Sequence, residues 1–435
     1  MRIVVAATAL GFLSLAGSAQ ASSYSNIYTF CSKNGCSDGA APFADLVADG
    51  AGNYFGTTSS GGNDNRGVVF ELSPNGGSWT YKVVYAFCPK SGCADGFLPD
   101  SAVILDTSGN LYGTTRMGGV GNGTIFRLSP KGHNWSLKVL HDFCVQPGCT
   151  DGSDVMSSGL AYLGQHSAAL YDGTSPLFGT TYSGGAFVNG TVFSLTPPAP
   201  GKKKWRFAVI HDFCAEGGNC NTTGSFPTAG VVVDSLQNLY GTTLRGGEGS
   251  SGTVFQLARG GKKWKETVLH SFCTQSGCPD GALPGSLAES GAGDLYGAAS
   301  GGAGQSACGG GGCGTIFKLT PAGKQSKFTL LHAFCTFASC GDGFEPSGRV
   351  ALLANGDIVG VTSLGGDYSH SQSGGGVLYR VNGSGLTVLH AFCAMTNCAD
   401  GNWPIGGPAV DSQGDIFGTT SQGANAEGTV FEYKP

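Results

Sequence analysis

Short runs rich in apolar residues, separated by glycine-rich breaks, fill the chain from residue 22 onward. The stretch from Ala102 to Phe143 shows the pattern best: AVILD, the turn TSGN, LYGTT, the loop RMGGVGNG, TIFRL, a loop holding Trp135, and LKVLHDF. β-Branched and aromatic residues dominate between the breakers, so each run predicts a strand and each break a hairpin. No apolar spacing of three and four residues persists, which excludes helical bundles and helical solenoids.

The unit repeats. Phe-Cys recurs at Phe30, Phe87, Phe143, Phe213, Phe272, Phe334 and Phe392, at intervals of 56 to 70 residues. The glycine of LYGTT returns at 56, 113, 179, 241, 297, 360 and 418, and the following strand ends at Phe70, Phe126, Phe193, Phe255, Phe317, Tyr379 and Phe431. Four strands in each of seven copies predict an all-β fold, a seven-bladed β-propeller of four-stranded antiparallel blades. A β-helix fits less well, because its rungs are nearer about twenty residues. The segment SNIYTF matches a fourth strand with no first three before it, while residues 408–433 supply three strands without a fourth. The two segments are expected to join as one blade (1+3), which removes the open sheet edges of a linear array.

Residues 1–21 read as a secretory signal peptide: Arg2, an apolar run from Ile3 to Leu15, and the small-residue exit Ala19-Gln20-Ala21. The expected mature unit is a single domain, 22–435, secreted or periplasmic. Ser22 follows the cut, so no lipid-anchor cysteine is expected, and no other run is long enough for a transmembrane helix. Charged residues are only 12%, and the net charge of −5 offers no basic surface for a phosphate backbone, which sets nucleic acid aside. Glycine (76) is abundant, but 40% of residues are apolar, which argues against disorder.

Sixteen cysteines fall in eight close pairs: Cys31 with Cys36, Cys88 with Cys93, Cys144 with Cys149, Cys214 with Cys220, Cys273 with Cys278, Cys308 with Cys313, Cys335 with Cys340, and Cys393 with Cys398. In an oxidising compartment they read as disulfides, each closing a short loop between blades. Zinc would need four convergent ligands, and equivalent pairs spread around a ring do not meet. The pair of Cys308 and Cys313, set in CGGGGC, stiffens a glycine tract of a different loop.

The units LYGTT…GG…GTVF…VLHxF…DGxxP resemble the GloVer (Gloeo/Verruco) tandem repeat of secreted bacterial proteins, over essentially the whole expected mature chain. The resemblance implies an extracytoplasmic, β-propeller-like protein of no settled biochemical function. It also implies that many relatives carry a C-terminal surface-anchoring segment, whereas this sequence stops on a strand.

Candidate chemistry lies on the face shared by the cysteine loops, the DGxxP segments and the glycine-rich loops. Asp38, Asp95, Asp151, Asp280, Asp342 and Asp400 each precede a glycine. One carboxylate per blade falls short of the six to eight oxygens calcium takes, so these are read as turn formers, with no metal and no cofactor expected. His141, His211, His270, His332 and His390 recur in VLHxF, with Tyr28 and Tyr85 in the first two copies. Each is expected to bond a Thr of a neighbouring GTT or adjacent backbone. Trp79, Trp135, Trp205 and Trp264 are expected to pack over hairpins beside solvated lysines such as Lys262. Trp403, with its counterparts Phe97, Phe226 and Phe344, and with Asp342 and Asp400, forms the candidate ligand face, by stacking on a sugar or gripping a peptide.

Departures from the repeat mark further candidates. The third copy inserts AYLGQHSAALYDGTSP, with His166, Tyr171 and Asp172, on the opposite face. The sixth carries Asp367, Tyr368 and His370, with Glu345 from its DGFEP, a grouping suited to general acid/base work. No Gly-x-Ser-x-Gly elbow, His-Glu-x-x-His helix or phosphate loop has its required strand and helix context. The expected function is a binding or scaffold module for a glycan or a protein; the alternative is a carbohydrate-active lyase or hydrolase on the loop face. Thiol titration of the denatured, unreduced protein should find fewer than about one free thiol per molecule; two or more would contradict the cysteine assignment.

Overall fold

The computed structural model describes residues 22–435 apart from 157–158, 166–168, 216–219, 262, 304–307, 309–310 and 424–426. The expected leader, His166 and Lys262 lie outside the described residues. The described secondary structure is strands and short 3-10 turns.

Among the described residues the strands form seven antiparallel blade sheets, numbered here as blades I to VII, and one short ladder of Gly224–Ser225 with Arg245–Gly246. Blade I comprises Val47–Ala48, Tyr54–Thr58, Val68–Asn75 and Ser78–Ala86. Blade II comprises Ile104–Leu105, Leu111–Thr115, Thr124–Lys131 and Asn134–Asp142. Blade III has Leu177–Thr181, Thr191–Thr196 and Arg206–Asp212. Blade IV runs Val232–Val233, Leu239–Thr243, Thr253–Gly260 and Lys263–Ser271. Blade V has Ala282–Glu289, Leu295–Gly301, Thr315–Thr320 and Lys327–Ala333, and blade VI Phe344–Leu352, Ile358–Leu364, Val377–Asn382 and Gly385–Ala391. Blade VII joins Ala409–Val410, Ile416–Thr420 and Thr429–Lys434 to Ser23–Thr29, which pairs antiparallel with the last strand from Ser23↔Lys434 to Thr29↔Thr429. That pairing is consistent with the expected 1+3 arrangement.

Blade III departs from the pattern. Its innermost strand shrinks to one bridged pair, Ala161↔Phe178, because the chain leaves the ladder at Tyr162 to begin the insertion. The insertion returns at Tyr171, which is fully buried and bridges Asp106 beside the inner strand of blade II.

The repeated residues explain why the blades dock. In every second strand the glycine lies under an aromatic ring of the third strand; a Cβ added at Gly241 would sit 2.6 Å from Phe255 Cζ. The phenylalanine of each Phe-Cys then packs on that ring in the next blade. Ring centroids are 5.2 Å apart for Phe30 and Phe70, 5.2 Å for Phe213 and Phe255, and 5.1 Å for Phe392 and Phe431, and the other four junctions match them. All fourteen rings are fully buried. The first Thr of GTT ties inner strands together: Thr57 Oγ1 donates to Ser101 O at 3.0 Å and Thr242 Oγ1 to Gly285 O at 2.8 Å. The tryptophans also bridge blades, as when Trp135 meets Phe55 and Trp264 meets Phe178.

Gly241→Ala should cost about 1–3 kcal/mol through overpacking against Phe255. Gly291→Ala, exposed with open space around its Cβ, should change stability by less than about 0.5 kcal/mol. Urea denaturation midpoints of the two variants check this; equal midpoints would remove the steric argument.

Candidate functional site: the cysteine-loop face and the central channel

Each outer strand turns inward through its cysteine loop, and the disulfides follow the adjacent pairing expected from the sequence. Seven close these loops: Cys31 bonds Cys36, Cys88 bonds Cys93, Cys144 bonds Cys149, Cys214 bonds Cys220, Cys273 bonds Cys278, Cys335 bonds Cys340, and Cys393 bonds Cys398. The eighth, between Cys308 and Cys313, lies in the glycine-rich loop of blade V. The loops reverse direction through left-handed cysteines, such as Cys335 (φ 63) and Cys340 (φ 49), a conformation costing roughly 1–2 kcal/mol per residue. The aspartate of the following Asp-Gly compensates. Asp342, fully buried, accepts from Thr336 N–H at 3.0 Å, Phe337 N–H at 3.2 Å and Thr336 Oγ1 at 2.9 Å. Asp400 does the same with the N–H groups of Ala394 and Met395. The glycine-rich loops dock on this face, as Gly119 N–H donates to Cys93 O at 2.9 Å.

The repeated histidines bond these aspartates, which corrects the expectation of Thr or backbone partners. His141 Nε2 lies 3.0 Å from Asp151, His270 2.8 Å from Asp280, His332 3.1 Å from Asp342 and His390 3.2 Å from Asp400. Tyr28 and Tyr85 donate to Asp38 and Asp95 in the same way. The partner always lies ten residues on, and that constant interval was the signal available in the sequence. The threonines are engaged elsewhere: Thr57 and Thr242 between inner strands, and the second Thr of the motif within its own blade, as Thr115 with Thr124 and Thr243 with Thr253. In the copy with Asn221 in place of the aspartate, His211 faces Glu266 of the next blade at 3.2 Å. The rings also stack across blades: His141 lies 3.8 Å from Phe207 and His390 3.7 Å from Tyr24.

Burial pushes the Asp342 carboxyl up, but the bond from His332 and those from the loop N–H groups outweigh it and hold it below the usual carboxylate range; Asp400 is held down likewise. Burial lowers the His141 imidazole, and Asp151 only partly offsets this.

The remaining candidates spread over the loop face. Trp403 is 40% exposed with a left-handed backbone (φ 59), its N–H donating to Gly375 O of the preceding blade. Phe226 shares that conformation (φ 57) and packs on Tyr182 at 5.2 Å. Phe97 and Phe344 stand one position earlier in DGxxP: Arg66 covers the Phe97 ring at 4.4 Å, and Phe344 packs against the core between blades V and VI. The four aromatics therefore occupy two different positions. Tyr368 and His370 are exposed, Asp367 is held low by the hydroxyl and N–H of Ser369, and burial pushes Glu345 up. Among the described residues no hydrogen bond joins these four.

The central channel is a cavity of about 1050 Å³ lined by inner-strand residues of all seven blades. Three residues past the DGxxP proline, Ala102, Gly230 and Gly407 are small, but Asp45 and Arg349 are charged. Arg349 Nε lies 3.4 Å from Asp45 Oδ2 across blade VII, whose Gly407 N–H donates to Asp45 Oδ1 at 2.5 Å. Burial raises the Asp45 carboxyl and Arg349 opposes this. The insertion of blade III reaches the same cavity. Tyr162 lies within the field of Arg349, and Gln165 lines the wall, its buried Oε1 having no donor among the described residues. No motif marked Asp45, Arg349 or Gln165, and only ring closure brings them together.

Residues 16–175 match the family model of the Gloeobacter/Verrucomicrobia repeat. The match to that repeat family is confined to this span. The motifs of the repeat continue beyond it to Phe431. No curated protein matches the chain. Among solved structures it is similar to a Mycobacterium tuberculosis puromycin-hydrolyzing peptidase, with 10% identity, a TM-score of 0.46 and coverage of 91% of this chain and 53% of that one. It is also similar to Trypanosoma rangeli sialidase, with 11% identity, a TM-score of 0.42 and coverage of 95% and 59%. A Dyadobacter fermentans protein of unknown function gives 12%, 0.43, 94% and 96%. The chain thus spans little more than half of the peptidase or the sialidase, and likeness this distant carries no argument about activity.

Asp342→Asn should lower stability by about 2 kcal/mol at pH 7, because several buried donors lose their carboxylate. A depressed carboxyl stabilises above the unfolded value of about 3.9 and stops doing so as pH falls through the folded value. The gap between wild type and variant should therefore narrow below about pH 4. Denaturation at pH 7 and pH 3 checks this, and a gap unchanged with pH would refute the assignment.

Proposed function

We propose that this repeat protein is an extracytoplasmic binding module whose central channel takes a glycan. The observation that carries this reading is the polar cluster inside the channel: Asp45, Arg349 and the orphaned Gln165 Oε1, set among small side chains and beside Tyr162. Sugar hydroxyls both donate and accept, so they match a carboxylate, a guanidinium and an amide oxygen together. An aromatic wall suits the apolar face of a pyranose. The Asp45–Arg349 pair is neutral overall, and the rest of the lining is acidic, which disfavours polyanionic ligands. On the loop face Trp403 offers a further stacking surface. The eight disulfides and the leader-like first 21 residues support the extracytoplasmic placement. Among the described residues no helix is long and apolar enough to cross a membrane.

The mature protein should retain neutral or basic oligosaccharides from a glycan panel without releasing shorter products. Arg349→Ala should weaken the best ligand at least tenfold by calorimetry, with thermal stability scored in parallel. Product release would favour the carbohydrate-active alternative, and unchanged affinity in a folded Arg349→Ala would remove the channel as the site.

A further inference from the structure

The channel opens beside the turns that follow the inner strands, and its end between blades I and VII differs from the other blades. In blades I, II and IV that turn is closed by an Asp and an Asn four residues later: Asp49 with Asn53, Asp106 with Asn110, and Asp234 with Asn238. Blade VII has carboxylates at both places, Asp411 and Asp415. With Asp49 and Glu432 they put four carboxylates on this end of the cavity. One cation faces them: Lys434 Nζ lies 3.3 Å from Asp415 and 3.1 Å from Glu432.

Solvated turn residues explain an acidic rim, but they do not explain Tyr54. Its counterparts Tyr112 and Tyr240 donate to the Asp of their own turn at 2.9 and 3.1 Å. Tyr54 is 3% exposed and lines the cavity, and its hydroxyl has no partner among the described residues. Its ring lies 4.3 Å from Phe417 and 5.9 Å from Trp79. Burial, then Asp411, Glu432, Asp415 and Asp49, push the phenol up, so all four carboxylates act on this one hydroxyl.

A compact metal ion does not fit. Among the described residues no three carboxylates bring their oxygens within 4.8 Å of one another; the one such cluster consists of disulfide sulfurs. An ammonium does fit, as that of Lys434 bridges two of the four carboxylates.

We propose that this end of the channel is a subsite for the ammonium of an amino sugar, so that the ligand is a glycan with unacylated nitrogen. The proposal rests on the glycan reading above. The ammonium donates to Asp411, Asp49 or Asp415 and to the Tyr54 oxygen, a sugar hydroxyl accepts the Tyr54 proton, and Trp79 covers the ring. Only a ligand bearing both ammonium and hydroxyl groups meets all of these demands.

Calorimetry with the mature protein tests the proposal, using a glucosamine hexasaccharide and its fully N-acetylated counterpart as probes. The glucosamine form should bind at least tenfold more tightly at low salt, and the preference should shrink as salt is raised. Two conservative variants should cut the preference to within about threefold: Asp415→Asn, which gives blade VII the Asp and Asn pair of blades I, II and IV, and Tyr54→Phe, which removes an unpartnered hydroxyl. Equal binding of the two probes, or binding of neither, overturns the subsite; the glycan reading stands or falls separately on the glycan panel. A full preference retained by both variants overturns the assignment to these residues.

Discussion

The structure depends on one contact made seven times: an aromatic ring of the third strand lying on a glycine of the second, with a phenylalanine of the preceding blade set against it. Burying a phenylalanine contributes about 1.5–3 kcal/mol, and a well-oriented aromatic pair adds about 1 kcal/mol. A Cβ at the glycine would displace the ring, and a displaced ring would lose its partner in the next blade. Blade geometry and blade docking are therefore one constraint, and a ring of seven satisfies it at every junction, including Phe30 against Phe70, where the first described strand meets blade I.

That docking places each cysteine loop over a junction, and polar chemistry is spent there on holding the loop. The His–Asp and Tyr–Asp pairs resemble acid/base dyads in composition, yet each carboxylate is occupied by loop N–H groups, and each imidazole sits against its own phenylalanine. His211 makes the structural role plainest. Where the loop aspartate is lost, the Glu266 carboxylate on the neighbouring outer strand stands 3.2 Å from the imidazole, within ion-pair distance but without hydrogen-bond geometry. A charge that can be supplied from either side of a junction is positioned to bind blades together.

The fold was legible because it is written seven times: Phe-Cys and the strand glycine recur in the same order in every copy, and repetition turns weak strand signals into a strong one. The histidine partner was missed although its ten-residue spacing was equally regular, because Asp-Gly also has a sufficient explanation as a turn. The channel site was not legible. Asp45 and Arg349 lie in ordinary inner-strand segments far apart in sequence, and their proximity exists only once blade VII stands between blades I and VI. The aromatic rim was partly legible: DGxxP marks the segment, but which of its two middle residues faces outward depends on a left-handed backbone at the second, seen at Phe226 and Trp403.

A ring of identical blades would have a channel with no preferred contact point, so any selective site must come from broken symmetry. Three breaks converge on this channel. Blades I and VI contribute the opposite charges of Asp45 and Arg349 at a position that is small in blades II, IV and VII, and the glycine of blade VII lets the pair meet, since a Cβ at Gly407 would collide with the Arg349 backbone. Blade III gives up most of its inner strand, and the released chain brings Tyr162 and Gln165 to the wall. Blade VII doubles the turn carboxylates beside Tyr54. Each departure forfeits something the repeat supplies elsewhere: an inner-strand ladder, an Asp and Asn turn pair, or a small channel residue. Other departures, such as the second disulfide of blade V, lie on the loop face, whereas these three line one cavity and give it the asymmetry a selective site requires.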